Sequence, residues 1–68
     1  MRYAIVIEKA GKCYSAYAPD LPGCVATGAT TAAVRSEMAA AIRFHLEGLA
    51  EDGLPPPVPE AQVDMIEA

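Results

Sequence analysis

The chain has 68 residues, 53% of them hydrophobic, and its five basic and nine acidic side chains leave a formal net charge of −4. That length leaves room for one small domain with a modest core, and the acidic balance offers no electrostatic footprint for gripping phosphates. Nucleic-acid binding is therefore not expected, and a basic partner is the better match.

A mean hydropathy of +0.21 is high for so small a domain, which implies that some apolar surface meets another chain. No apolar run approaches the ~18 to 20 residues required to cross a bilayer, and the N-terminal run breaks at Glu8 without a small-residue cleavage site. The expectation is a cytoplasmic protein with no membrane contact.

Arg2 to Glu8 (RYAIVIE) is rich in aromatic and β-branched residues and ends at KAGK, which predicts a first strand over 2–8 followed by a hairpin turn. Cys13 to Ala18 (CYSAYA) alternates again and stops at Pro19, and Cys24 to Gly28 (CVATG) resumes after Leu21-Pro22-Gly23. Three antiparallel strands follow, with the segment Pro19, Asp20, Leu21, Pro22, Gly23 and Cys24 as the bend between the second and third.

The two-residue period sorts these strands into two faces. Tyr3, Ile5, Ile7, Tyr14, Ala16, Ala18, Cys24, Ala26 and Gly28 share one, apolar and small enough on the second and third strands for a helix to approach closely. Ala4, Val6, Glu8, Cys13, Ser15, Tyr17, Val25 and Thr27 share the other, a mixture suited to water or a partner. Ser15, Tyr17, Val25 and Thr27 are thus either partner-binding residues or ordinary strand residues.

Thr30 or Thr31 offers an N-cap to a helix over 31–51. Val34, Met38, Ala41, Ile42, His45 and Leu49 form one apolar stripe on it, with Ser36, Glu37, Arg43, Glu47 and Glu51 opposite. Gly53 suits a helix C-terminus, and Pro55, Pro56, Pro57 and Pro59 read as a stiff connector rather than bait for a polyproline-binding domain. Gln62 to Glu67 (QVDMIE) reads as a fourth strand over 62–67. A helical crossover sets it parallel to the first, giving an α+β fold of β-β-β-α-β order, sheet order 3-2-1-4, one helix on one face: a partial RNase H-like architecture.

Metal-dependent nuclease chemistry calls for converging carboxylates, and the middle of strand one carries Ala4, Ile5, Val6 and Ile7 instead. Cys13 and Cys24 fall at opposite ends of neighbouring strands, roughly 13 to 16 Å apart at ~3.3 Å per residue, beyond the ~7 Å limit for a disulfide. Both are read as reduced thiols. Two cysteines and one histidine without close ligand spacing do not suggest zinc, and His45 is read as a partly buried histidine or an interface residue. Asp20 is read as capping local backbone amides rather than as a catalytic acid. No catalytic residue, metal or cofactor is expected.

The runs YSAYAPDLPGCVATGATTAAV and AAAIRFHLEGLAEDGLPPPVPE closely resemble the HicB-like antitoxin family. The shared pattern is a Tyr-Ser-Ala strand, Pro-Asp-Leu-Pro-Gly-Cys, a Gly-x-Thr helix start, and a helix ending in Leu-Glu-x-Leu before a glycine and prolines. The resemblance implies a partial RNase H-like antitoxin of a type II toxin-antitoxin pair. Its partner would be a HicA-type toxin, a small basic mRNA interferase with a double-stranded-RNA-binding fold, neutralised when the antitoxin covers its catalytic histidine.

Many such antitoxins carry a C-terminal ribbon-helix-helix or helix-turn-helix segment. Here the chain ends soon after the expected fourth strand, so a short form without operator binding is expected. The sequence departs from the pattern at Ala29, where an acid often precedes the threonine, and TTAAV lacks an acidic first turn. A self-associating regulatory or scaffold protein, a homo-oligomer closed by the mixed sheet face, is the alternative.

Overall fold

The computed structural model describes residues 1–68. Its elements run β1 (Val6–Ala10), β2 (Cys13–Tyr17), β3 (Val25–Gly28) and α1 (Thr31–Glu51), an α+β arrangement of three strands and one helix. The sheet order is β1-β2-β3, antiparallel throughout. Gly11 and Lys12 form the two-residue turn of the first hairpin, between the paired residues Ala10 and Cys13.

The register pairs Ile7 with Ala16 and Ala16 with Ala26, and it pairs Tyr14 with both Lys9 and Gly28. These residues share the face under the helix, as the alternation predicts. The helix lies chiefly on β3 and β2. At Gly28 the approach is so close that an added Cβ would stand 2.6 Å from the Val34 backbone nitrogen, so only glycine fits there. Ala16, Ala18, Leu21, Cys24, Val34 and Met38 form the buried core, with Tyr3, Ile5, Tyr14, Ala26, Ala41, Ile42 and Leu46 packed around it.

Both ends of the helix are closed locally. Thr30 is the N-cap, its Oγ1 accepting from the Ala33 N–H at 3.0 Å, which satisfies one of the orphan donors of the first turn. At the other end the Gly53 N–H donates to the Ala50 carbonyl and the Leu54 N–H to the Leu49 carbonyl, the paired bonds of a Schellman ending. The predicted helix boundaries hold, and the predicted outer residues Ser36, Glu37, Arg43, Glu47 and Glu51 are all exposed.

The predicted fourth strand does not form, so the order 3-2-1-4 is replaced by a three-stranded sheet with β1 at an open edge. The chain before it is held elsewhere: the prolines at 55, 56, 57 and 59 have no N–H to offer a ladder, and the N–H groups of Glu60 and Ala61 both donate to Asp20 Oδ2, at 3.1 and 3.0 Å, at the loop between β2 and β3. Gln62–Glu67 then continues without a partner strand, with Val63 68%, Met65 86% and Ile66 86% exposed.

The first strand also shifts, beginning at Val6 rather than Arg2 and running on to Ala10. Val6 pairs with Tyr17, the last residue of β2. Beyond it the Ala18 N–H donates to the Cys24 carbonyl and the Ala18 carbonyl accepts from Leu21, so β2 has nothing left to offer residues 2–5.

Candidate functional site

The side of the sheet away from the helix carries two cross-strand rows. Val6, Tyr17 and Val25 lie side by side in one, and Glu8, Ser15 and Thr27 in the next. The four residues singled out from the sequence, Ser15, Tyr17, Val25 and Thr27, are therefore brought together on adjacent positions of β2 and β3. Tyr17 is 41% and Val25 65% exposed. An aromatic ring beside a β-branched side chain, flanked by two hydroxyl residues, gives an apolar patch with hydrogen-bonding groups at its border. Val6 completes the row, although composition alone gave no reason to prefer it over its neighbours.

The loop that joins these two strands is more than a bend. The Leu21 N–H donates to the Ala18 carbonyl and the Cys24 N–H to the Leu21 carbonyl, both at 3.0 Å, making two consecutive β-turns. Pro19 and Pro22 each take the second position of a turn, where a fixed φ is favourable. Gly23 follows at φ 82°, the left-handed third position of a type II turn that a side chain would strain. Leu21, between the turns, points inward and is fully buried.

Asp20 caps backbone amides, as its residue type suggests. The amides belong to Glu60 and Ala61, however, 40 and 41 residues along the chain, not to the local turn. A second tie lies alongside, where the Tyr3 hydroxyl donates to the Pro57 carbonyl at 2.6 Å. The proline connector is thus a strap fastened at both the start of the chain and the PDLPGC loop.

His45 lies half-buried in a groove of about 460 Å³ between the start of β3 and the C-terminal half of the helix, beside Cys24, Val25, Phe44, Leu49 and Asp52. Phe44 is 78% exposed on the rim of this groove. It fell on neither helix face in the sequence reading, and its signal was a large aromatic side chain one place off the apolar stripe. Cys13 and Cys24 are both free, the first exposed and the second buried, and burial pushes the Cys24 thiol above its ordinary pKa. No three His, Cys, Asp or Glu side chains gather where a metal ion could be held, and no helix is long and apolar enough to cross a membrane.

Comparison with known proteins adds a family to this geometry. The family model described as the HicB_like antitoxin of bacterial toxin-antitoxin systems matches residues 3–68. The chain is also 42% identical over 52 residues to the uncharacterized 14.9 kDa protein in the rep-hol intergenic region of Haemophilus phage HP1 (strain HP1c1). That alignment takes in 76% of this chain and 39% of the phage protein, so the chain spans less than half the length of this curated relative. No solved structure matches.

Proposed function

The chain belongs to the HicB_like antitoxin family of bacterial toxin-antitoxin systems, and from that premise we propose that it binds and silences a small basic mRNA-cleaving toxin of the HicA type. The observation that carries this reading is the family match along residues 3–68. The chain's net charge of −4 supports it, because opposite charge speeds encounter with a basic partner.

The surface proposed for the toxin is the outer sheet face, with Tyr17 and Val25 as anchors and Ser15 and Thr27 as hydrogen-bonding neighbours. An interface centred on a desolvated aromatic side chain with a polar surround has the composition that tight protein contacts favour. Covering these exposed apolar side chains with the toxin would remove them from water, which favours the complex and slows its release. The role needs no chemistry from the antitoxin itself: it acts by occlusion, without catalysis, cofactor or metal.

The test is co-expression with the protein encoded by the adjacent reading frame. A small basic toxin that co-purifies with the chain, and whose growth arrest the chain relieves, is the expected result. A neighbour that is neither bound nor neutralised overturns the proposal.

A further inference from the structure

A second groove, of about 290 Å³, opens between β1 and the helix. Tyr3, Ile5 and Ile7 form one wall, Met38 and Ile42 the other, and Arg35 stands among them. It exists because the helix sits over β3 and β2, leaving the inner face of β1 only partly covered. The outer edge of β1 is likewise unpaired, and an open strand edge beside an apolar groove is a template for an added strand.

The same molecule carries a segment that fits the template. Gln62–Glu67 follows the Asp20 anchor without regular structure or a partner strand, with its apolar side chains in water. At ~3.3 Å per residue its six residues span about 20 Å, enough to run along residues 4–9, which take in most of β1 and the two residues before it. Its period places Val63, Met65 and Glu67 on one side and Asp64 and Ile66 on the other.

Charge is distributed in the same sense. Lys9 and Lys12 lie at the turn end of the first hairpin, where Glu8 is the one acid, whereas Glu60, Asp64 and Glu67 lie in the strap and arm, which contain no base. In its own molecule no residue of the arm lines this groove, and Asp20 holds the amides of Glu60 and Ala61 at the loop between β2 and β3.

We propose that Gln62–Glu67 is an exchange arm that adds to the β1 edge of a second copy of this chain, in a reciprocal dimer. The arm runs parallel to that copy's β1, with Val63 beside Ile5 and Met65 beside Ile7, both filling the groove. Glu67 comes beside Lys9 and near Arg35. Exchange in both directions closes a two-fold dimer and leaves neither β1 edge open. This inference rests on the β1 edge and the arm, not on the toxin reading, and it leaves the outer sheet face free.

The experiment measures mass by sedimentation across low to high micromolar concentration, with amide hydrogen exchange at each end of the range. The expected result is a dimer in which arm and β1 amides gain protection together as concentration rises. Val63→Glu and Met65→Glu should each weaken the dimer about tenfold or more, with an unchanged circular dichroism spectrum because neither side chain contributes to the core. Glu67→Lys should weaken it and Lys9→Glu in the same chain should restore it. A monomer at high micromolar concentration overturns the proposal. So does a dimer indifferent to both arm substitutions, or arm protection that does not depend on concentration.

Discussion

The carboxylate of Asp20 and the backbone of Ala61 are held at 3.0 Å across 41 residues of chain, with the Glu60 N–H on the same oxygen at 3.1 Å. One side chain in a turn thereby sets where the strap ends and where the arm begins. Asp20→Ala should cost about 1.5 to 3 kcal/mol, the range for hydrogen bonds to a charged acceptor. The amides of Glu60 and Ala61 should exchange faster while those of β2 are unchanged. Asp20→Asn, which keeps an acceptor, should lose less.

Leu21 and Phe44 make a matched pair for testing which apolar residues hold the fold. Leu21 is fully buried and Phe44 is 78% exposed. Leu21→Ala should cost about 2 to 5 kcal/mol, comparable to the ~3 to 5 kcal/mol that a core of this size supplies, and leave the chain largely unfolded. Phe44→Ala should stay within about 0.5 kcal/mol of the parent. Urea melts of both proteins decide it.

Gly28→Ala should be destabilising by about 1 to 3 kcal/mol, the range for overpacking. The added methyl meets the Val34 backbone at 2.6 and 2.9 Å, and backbone cannot rotate away as a side chain can. A lower urea midpoint with loss of helix docking is expected; a neutral substitution would show that the helix start can shift.

Tyr17→Ala and Val25→Asp should each weaken binding of the cognate toxin by about tenfold or more. Both side chains are exposed in the free protein, so thermal stability should change little. Calorimetric titration with the toxin, alongside thermal melts, separates loss of contact from loss of fold.

Burial raises the Cys24 thiol pKa. Above about pH 8.5, where an unfolded cysteine ionises, the folded state still holds the proton and binds more protons than the unfolded state. Stability contributed by this site is therefore constant below that pH and falls as pH rises towards the folded value. Urea midpoints of the parent should decline over this range more steeply than those of Cys24→Ala, and at neutral pH a thiol reagent should modify Cys13 first.

The sheet faces, the helix and its caps were legible in the sequence because each is set by local rules. The two-residue period put Ala16 and Ala26 under the helix, the i, i+4 stripe put Val34 and Met38 in the core, and Thr30 and Gly53 punctuated the ends. The fourth strand was misread because QVDMIE has strand composition but its pairing depends on where a distant aspartate holds the chain before it. Asp20 shows the same limit from the other side. Its taste for backbone amides follows from residue type, whereas the identity of those amides depends on how the strap crosses the molecule. The four residues of the candidate face share one side of the sheet because strand parity alone determines the face.

The Tyr3 hydroxyl bond to the Pro57 carbonyl spans 54 residues, and that span bears on the order of assembly. The hairpins, the PDLPGC turns and the helix involve neighbours in sequence, so residues 6–54 can organise before the strap closes. Docking the strap then requires residues 55–61 to be ordered against that body, and its prolines give it no ladder bonds with which to begin. The strap is thus the last piece to settle and the first to lift. Tyr3→Phe should accelerate unfolding while leaving the folding rate nearly unchanged, and a slowed folding rate would place the strap in the nucleus instead.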